Sequence, residues 1–312
     1  MSGRKLTFKS DKFRILQITD THINGFAGRE GKVFPLLRRI IELEQPDLAA
    51  FTGDIACSQD VCVEMFGAVN GLMEEFGIPY TYTYGNHETD GCAGSKLEDV
   101  LLKYPLSLYQ KSPEGVPGFG NYRIPVFADE NSPAPAWYLY SIDCGNDEKY
   151  NITPKETVSH EGYIKRGQID WVRRVHREDS APSVVFCHIP LPEFNDVWMF
   201  DGIYGERHEK VYRPALNSGF FTAMWELGNF KGFFSGHDHV NSYYGYMMGI
   251  MLAYGRNSGT HCRCRRGFKR GCRVIDLSAD GSLSTHIRLF DGTVPEESFR
   301  PAKYDRFNYF VR

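Results

Sequence analysis

Acidic, amide and imidazole side chains directly follow several short apolar runs in this chain. After five such runs come Asp20-Thr21-His22, Gly53-Asp54, Gly85-Asn86-His87-Glu88, His188, and Gly236-His237-Asp238-His239. Loops at the carboxyl ends of strands in an α/β sheet line one crevice. We therefore expect these five positions to converge, although more than two hundred residues separate the first from the last.

The polar side chains at these positions are oxygen and nitrogen donors of the kind that bind divalent or trivalent metals. The candidate metal ligands are Asp20, His22, Asp54, Asn86, His188, His237 and His239. Carboxylate, amide and imidazole groups without thiolate suit Mn, Fe or Zn and differ from a structural zinc site. Seven donors are too many for one tetrahedral ion but suffice for two ions that share a carboxylate. Paired ions about 3.5–4 Å apart are typical of phosphatases and nucleases.

The elements that must position these residues alternate between short apolar runs and segments with helical periodicity. Helices are predicted at about 32–44, 60–76 and 167–177, and buried strands at 13–19, 47–52, 79–84, 137–142, 183–187, 231–235, 250–254 and 273–277. The order strand, helix, strand predicts an α/β fold with internal sheets covered by helices. The Pro-, Gly- and Asn-rich stretches 105–135 and 144–165 are interpreted as surface excursions that could act as lids.

The ordered set DTH, GD, GNHE, a lone histidine and GHDH resembles the calcineurin-like metallophosphoesterase superfamily. The stretches FCHIPLPEF, YSIDCG, YIKRGQIDW and RPALNSGFF resemble the branch related to purple acid phosphatases but lacking their N-terminal domain. The resemblance implies a four-layer αββα sandwich, in which two mixed β-sheets are flanked by helices. It also implies a single domain over 1–312, with a core from about 13 to 290 and a C-terminal extension, 291–312.

The resemblance also implies a division of the ligands between two metal ions. One ion would bind Asp20, His22, Asp54 and His239, and the other would bind Asp54, Asn86, His188 and His237. Asp54 would be the bridge. A hydroxide held by the metals would attack phosphorus, because coordination lowers the pKa of water to about 7. His87, which is not a ligand in the family pattern, would help the metals to stabilise the charge on the equatorial phosphoryl oxygens. It would also donate a proton or hydrogen bond to the leaving oxygen.

Three residues near these motifs have supporting interpretations. Purple acid phosphatases have a tyrosine three residues after the bridging aspartate, and here that position is Cys57. The purple chromophore is therefore not expected, and His22 supplies the missing donor. Cys57 is interpreted as a small residue packed behind the site, while Glu88 and Asp238 are expected to orient the ligands or shape the turns.

The segment 261–273, HCRCRRGFKRGCR, has three open interpretations. Its cysteines and histidine could bind zinc, although the C-x-C spacing differs from paired C-x-x-C motifs. It could be a solvated hairpin near the pocket rim, or a basic patch that contacts a phosphate or nucleotide. Further candidates for the rim are His160, Arg207, His208, Arg256 and Asn257.

Bulk properties predict a globular intracellular protein. The chain has 312 residues, 42% of them hydrophobic, and a formal net charge of −3. This charge leaves no electrostatic footprint for nucleic acid. The N-terminal residues contain no signal-peptide core and no stretch reaches membrane-spanning length, so we expect a cytoplasmic protein without a membrane partner. The eight scattered cysteines favour reduced thiols. The oligomeric state stays open.

The predicted activity is metal-dependent hydrolysis of phosphate esters, most simply of phosphomonoesters. The expected substrate is a phosphorylated small molecule or a phosphoprotein, and the expected cofactor is a pair of metal ions, Fe, Mn or Zn. A phosphodiesterase or nuclease would use the same site, so the two activities stay open at this point. A third interpretation, of a different class, is a binding scaffold on a decayed phosphoesterase fold.

Overall fold

The computed structural model describes residues 5–23, 30–56, 62–90, 93–176, 181–260, 262 and 264–306. In these ranges the β-strands are β1 Leu6–Thr7, β2 Lys12–Ile18, β3 Leu48–Thr52, β4 Tyr80–Thr83, β5 Tyr122–Phe127, β6 Pro135–Ser141, β7 Glu148–Thr153, β8 Glu156–His160, β9 Ser183–Phe186, β10 Ile203–Tyr204, β11 Phe230–Ser235, β12 Tyr244–Met247, β13 Ile250–Tyr254, β14 Gly271–Ser278, β15 Leu283–Leu289 and β16 Phe299–Arg300. The α-helices are α1 Val33–Glu44, α2 Cys62–Phe76, α3 Gly94–Leu101, α4 Arg166–His176, α5 Glu193–Asp196 and α6 Phe220–Leu227. A 3-10 turn spans Glu30–Lys32 and a π-helical turn spans Val197–Asp201.

Two large mixed sheets form the centre of the fold. One has five strands in the order β15-β14-β2-β3-β4, and the other has nine in the order β1-β5-β6-β9-β11-β13-β12-β10-β16. The strands β2, β3 and β4 are parallel neighbours in the first sheet. The strands β6, β9, β11 and β13 are parallel neighbours in the second. In each sheet, therefore, the carboxyl ends of several parallel strands lie on the same side.

Side chains that alternate along β9 and β11 divide the interior into two cores. Val184 and Phe234 belong to the core shared with the five-stranded sheet, which also contains Phe51. Their chain neighbours Val185 and Phe233 belong to the core beneath helices α4 and α6. Since successive strand residues face opposite sides of a sheet, the nine-stranded sheet is covered on both faces. Helices α1 and α2 pack against the five-stranded sheet, and the predicted four-layer order is confirmed.

Helix α1 shows why these segments fold as they do. Its buried residues recur with helical spacing at Val33, Leu37, Ile40 and Ile41, so one apolar stripe faces the sheet. The helix ends at Glu44 and is capped by Gln45, whose backbone is left-handed with φ of 46°. No described helix has both the length and the hydrophobicity needed to cross a membrane.

The stretch 105–135 is not the surface excursion expected from its composition. It contains β5, which pairs with β6 inside the nine-stranded sheet. Tyr122, Ile124 and Val126 are buried and lie two residues apart, which is the period of a strand with one face in the core. This prediction was wrong because the Pro- and Gly-rich flanks hid the short alternation. The stretch 144–165 contains the hairpin β7–β8, whose residues are largely exposed.

Both ends of the described chain join the nine-stranded sheet. The strand β1 pairs with β5, and β16 pairs with β10. The paired strands thus extend beyond the core expected between 13 and 290. The single-domain boundaries of 1–312 stay a prediction.

Candidate metal centre

The structure brings all seven candidate ligands to the carboxyl ends of parallel strands. Four of them follow strands β2, β3 and β4 of the five-stranded sheet, namely Asp20, His22, Asp54 and Asn86. The other three follow β9 and β11 of the nine-stranded sheet, namely His188, His237 and His239. The site therefore lies where the carboxyl ends of the parallel strands of the two sheets meet. Neither sheet carries the whole set of donors.

A first cluster consists of Asp20, His22 and His239. Their nearest ligand atoms lie within 4.8 Å of one another. The Nε2 atoms of His22 and His239 are 3.0 Å apart, and Asp20 Oδ1 is 3.5 Å from His239 Nε2. The loop geometry comes partly from the backbone, because the Asp20 carboxylate accepts hydrogen bonds from the backbone N–H of His237.

A second cluster consists of Asp54, His188 and His237, whose ligand atoms also lie within 4.8 Å of one another. His188 Nε2 is 3.2 Å from Asp54 Oδ2 and 3.1 Å from Asn86 Oδ1. The His188 and His237 rings meet edge to face with centroids 5.2 Å apart. Asn86 thus lies beside the second cluster, and its role as a metal ligand stays a prediction.

Asp54 faces both clusters. Its Oδ2 atom is 3.2 Å from His188 Nε2 in the second cluster and 3.6 Å from His22 Nε2 in the first. Its other oxygen, Oδ1, accepts a hydrogen bond from the backbone N–H of His87 at 3.0 Å. This arrangement leaves Oδ2 positioned between the two clusters, where a bridging carboxylate has to lie.

The ligand loops adopt an unusual backbone conformation. Asp20, His22, Asp54 and His237 have φ between 46° and 73°, in the left-handed region that non-glycine residues rarely occupy. Such strain costs about 1–3 kcal/mol per residue and persists where the surrounding structure holds it. Gly53 has φ of 85°, and a Cβ atom there would lie 2.5 Å from His188 Nδ1. The loops therefore tolerate little change.

The charges of the carboxylates suit metal binding. Burial acts to raise the pKa of Asp54, but the imidazoles of His188 and His22 hold that pKa well below its ordinary value. Burial likewise acts to raise the pKa of Asp20, but the contact with His239 lowers it, and the net effect is a lowered pKa. Both carboxyl groups are therefore anionic at neutral pH.

Two of the imidazoles are held neutral. Burial lowers the pKa of His237 to about 3 and that of His22 to about 4. Neutral imidazole is the form that binds a metal. At His188 burial also acts to lower the pKa, but the adjacent Asp54 carboxylate raises it well above the ordinary value.

The hydrogen bonds around His188 test whether the donor set fits a cation. Its Nδ1 atom lies 2.8 Å from the Thr52 carbonyl oxygen, which can only accept, so Nδ1 carries the proton. In neutral His188 the Nε2 lone pair then faces two further acceptors, Asp54 Oδ2 and Asn86 Oδ1. Without a metal, these three acceptors can share a proton on Nε2, which the raised pKa of His188 reflects. A metal ion bound by neutral His188 would take the place of that proton. The donors therefore fit a metal ion here, and the facing nitrogens of His22 and His239 fit a second.

Glu88 supports the centre from beneath. This fully buried carboxylate accepts hydrogen bonds from the backbone N–H groups of Asp54, Ile55 and Gly85 and from the Tyr82 hydroxyl, at 2.6–3.0 Å. It ties the loop after β3 to the loop after β4. Its expected structural role matches this geometry.

Asp238 faces away from its two histidine neighbours. Its carboxylate accepts hydrogen bonds from the Tyr254 hydroxyl at 2.5 Å and from the backbone N–H of Tyr212 at 3.3 Å. Burial raises the pKa of Asp238 to about 7. Asp238 shapes the turn between His237 and His239, as expected.

His87 lies at the mouth of the centre. Its side chain is 42% exposed, and its Nε2 atom is 4.0 Å from Asp54 Oδ2. Nδ1 is 2.5 Å from Asp90 Oδ2. Burial acts to lower the pKa of His87, but Asp54 and Asp90 raise it above the ordinary value. His87 is thus the candidate residue that is both beside the clusters and open to an incoming molecule.

The centre opens into a cavity of about 480 Å³. Its inner wall contains Asp54, His87, His237 and His239, and its outer wall contains His208, Glu209, Tyr212, Val240, Cys264 and Arg265. The sequence named His208 only as one of several rim candidates, and Tyr212 was missed. The signal for Tyr212 was weak, because its backbone N–H, and not a motif, connects it to Asp238.

The segment 261–273 has no described metal cluster of its own. In the described residues, the groups capable of holding a metal are the two clusters above. The Cys264 sulfur contacts the Phe268 carbonyl oxygen, and the Cys262 sulfur contacts Asn257 and the Asp20 carbonyl oxygen. Cys264 and Arg265 of this segment line the cavity, whereas His261 and Arg263 fall outside the described residues. Cys57 falls outside the described residues.

Known proteins share the sequence features of this site. Residues 13–241 match the family model of calcineurin-like phosphoesterases. The chain belongs to the calcineurin-like phosphoesterase family.

Two relatives are similar to this chain in sequence, and one solved structure is similar to it in fold. A protein of Arabidopsis thaliana named "Probable inactive purple acid phosphatase 14" is 32% identical over 90% of this chain and 79% of its own length. The protein "Phosphatase DCR2" of Saccharomyces cerevisiae is 26% identical over 74% of this chain and 45% of its own length. The structure of a dimetal phosphatase from Danio rerio covers 93% of this chain and 100% of its own, with a TM-score of 0.62 and 14% identity. That likeness shows the fold.

Proposed function

We propose that this chain is a phosphomonoesterase that uses two metal ions. The observation that carries the proposal is the position of Asp54 Oδ2 between two donor clusters, 3.6 Å from His22 Nε2 and 3.2 Å from His188 Nε2. Sites of this kind suit phosphate esters, because two cations can neutralise the oxygens of a transferring phosphoryl group. The proposed ions are drawn from Fe, Mn and Zn, which the oxygen and imidazole donors favour.

The residues have separate roles in this proposal. Asp20, His22, Asp54 and His239 hold one ion, while Asp54, Asn86, His188 and His237 hold the other. The bound ions would supply an activated water and charge neutralisation. His87 holds a proton near Nε2 and donates it to the leaving oxygen, since it is the exposed imidazole beside the clusters. Asp90 orients the His87 ring through Nδ1.

The word "inactive" in the name of the Arabidopsis relative raises the alternative of a binding scaffold. Loss of activity on this fold is expected to remove a ligand or the histidine equivalent to His87. This chain retains all seven donors and His87, and places them within contact of one another. We therefore favour an active enzyme that acts on a phosphorylated small molecule or a phosphoprotein, in the cytoplasm.

Two variants test the division between metal ligand and proton donor. Asp54→Ala removes the shared carboxylate, so we expect loss of both ions and a fall in kcat of more than about 10³-fold. His87→Ala removes only the proton donor, so the ions should stay while kcat falls by about 10²–10⁴-fold. The measurements are metal content by elemental analysis of protein purified without chelator, and hydrolysis of p-nitrophenyl phosphate and of its bis-ester.

The outcomes separate the alternatives. Equal loss of metal in both variants would show that His87 is also a ligand. A higher rate on the bis-ester than on the mono-ester would establish a phosphodiesterase. Wild-type protein that binds two ions, hydrolyses neither ester and is unchanged by His87→Ala would establish the binding scaffold.

A further inference from the structure

The outer wall of the cavity contains a basic side chain that the proposed chemistry does not use. We define the rim as residues 206–212 and 264–268, which contribute every outer-wall residue except Val240. Arg265 lines the same cavity as Asp54, His87 and His239, and its guanidinium group contacts His208, which lines that cavity too. Its position invites the question of which part of a substrate it would contact.

Arg265 is held in place by its neighbours. Its Nη1 atom donates to His208 Nδ1 at 2.9 Å. The turn that carries it is closed by a hydrogen bond from the Phe268 N–H to the Arg265 carbonyl oxygen at 3.1 Å. Arg265 itself is exposed, so the backbone bond restricts the turn and the His208 contact restricts the guanidinium group. Both contacts lower the conformational entropy that binding an anion would cost.

Phe268 anchors that turn to the protein. Its ring lies 3.5 Å beneath the Arg256 guanidinium, and its edge-to-face contact with the His208 ring has a centroid distance of 5.9 Å. Arg256 is buried and donates to Glu206 at 2.6 Å and to the Ser242 hydroxyl at 2.7 Å. The two segments of the rim therefore form one connected unit.

The charge of Arg265 is not neutralised by a carboxylate in the described part of the chain. The buried arginines Arg256 and Arg273 pair with Glu206 and Glu297, whereas Arg265 has no described carboxylate within 4.0 Å. Glu209 lies on the same wall, but its Oε1 atom accepts from the backbone N–H of Val240 at 2.8 Å. Arginine has five N–H donors, so most of those on Arg265 stay available to a ligand.

The size of the cavity exceeds what one phosphate group needs. A volume of about 480 Å³ falls within the roughly 300–1,000 Å³ range of sites that enclose a small organic molecule. Guanidinium groups match phosphate through paired, charge-assisted hydrogen bonds. We propose that Arg265, positioned by His208, binds a second phosphate group of the substrate, so that the preferred substrates are small bisphosphates. This inference rests on the proposed phosphomonoesterase function.

Two propyl phosphates that differ only in the group at the far carbon, hydroxyl or phosphate, test the proposal. They are 3-hydroxypropyl phosphate and propane-1,3-diyl bisphosphate, and the readout is the ratio of their kcat/KM values. A charge-assisted contact predicts a ratio of about 10–100 in favour of the bisphosphate in the wild type. Arg265→Gln should bring the ratio down to about 2, the statistical value for a substrate with two equivalent phosphates, and Arg265→Lys should restore part of it. Arg266→Gln is the control, because Arg266 is exposed like its neighbour Arg265 but does not line the cavity.

A binding measurement keeps the test independent of turnover. Calorimetry would compare propane-1,3-bisphosphonate with propylphosphonate on wild type, Arg265→Gln and Arg266→Gln, each loaded with manganese. We expect the wild type and Arg266→Gln to bind the bisphosphonate at least about tenfold more tightly, and Arg265→Gln to lose that preference.

An equal preference in wild type and Arg265→Gln would overturn the role of Arg265, and so would an equal loss in both arginine variants. Failure of the wild type to hydrolyse either phosphate, with the binding preference intact, would instead count against the proposed enzyme and leave the anion site supported.

Discussion

The floor and the rim of the cavity are built in different ways. The floor consists of the strand-end loops that carry the seven candidate ligands, and the rim is the pair of segments defined above. In the floor, positions are set by the backbone, since Asp20, His22, Asp54 and His237 are held at positive φ. In the rim, positions are set by side-chain contacts, such as Phe268 beneath Arg256.

This difference separates chemistry from selectivity. A metal centre requires donors placed within a few tenths of an ångström, and rigid strand ends provide that accuracy. Loops on a rigid scaffold can change their side chains without disturbing the scaffold, so substrate contacts are commonly located there. Three substitutions would show whether the floor and the rim are separable in this way.

The largest effect is expected from Gly53→Ala in the floor. The added Cβ would lie 2.5 Å from His188 Nδ1, and the residue would have to keep φ of 85°. We expect one metal ion or both to be lost and kcat to fall by at least about 10²-fold. The free energy of unfolding should also fall by about 1–3 kcal/mol. Elemental analysis and urea denaturation measure the two losses.

Gly77→Ala is the matched control for that substitution. Gly77 also has positive φ, at 66°, but nothing lies within 4 Å of its Cβ position. It should lose stability and keep its metal and activity. If Gly53→Ala also loses only stability, the close approach of Gly53 to His188 is not needed to hold His188 in position as a metal ligand.

An intermediate effect is expected from Glu88→Gln. The two carboxylate oxygens of Glu88 accept four hydrogen bonds. In the glutamine variant the side-chain NH₂ group would face at least one of these backbone N–H groups, which cannot accept a hydrogen bond. We expect a loss of about 2–3 kcal/mol in unfolding free energy and weaker metal binding. Urea denaturation with chelator present, and metal titration, test the two effects separately.

Glu98→Gln provides the comparison. Glu98 is also buried, but it accepts from one hydroxyl, that of Tyr109 at 2.8 Å, which the amide oxygen can still accept. This variant should bind metal as the wild type does. Equal loss of metal affinity in both variants would argue against a specific role for Glu88 in the floor.

The smallest effect on the metals is expected from Asn241→Ala, which weakens the connection between rim and floor. Asn241 Oδ1 accepts from the backbone N–H groups of His208 and Glu209 at 3.0 and 3.1 Å. Its loss should leave metal content unchanged and raise KM about fivefold, while about 1–3 kcal/mol of unfolding free energy is lost. Steady-state kinetics and denaturation are the measurements.

Asn121→Ala serves as its control, because Asn121 is equally buried and accepts from the Asp143 N–H at 3.1 Å. It should lose similar stability without a change in KM. Loss of metal in Asn241→Ala would show that the rim and the floor are one unit.

Much of the floor could be predicted from the sequence because its signal is local. Each candidate ligand directly follows an apolar run, and runs such as 250–254 coincide with the observed strand. The rim could not be predicted in the same way. Arg265 meets His208 across 57 residues of chain, and no periodicity relates the two segments. The strand Tyr122–Phe127 was not predicted for a related reason. Its pairing with β6 is a tertiary contact, and it outweighs the Pro- and Gly-rich composition of the flanking residues.

The sequence by itself determined which donors are present, their order along the chain and their placement after strands. Only the tertiary structure decided that Asp54 faces both clusters and that three of the histidines come from the other sheet. The physical reason is that residue type and strand periodicity are local properties, whereas the distance between two loops depends on how the sheets pack. A difference of a few ångströms there separates two isolated sets of donors from one centre.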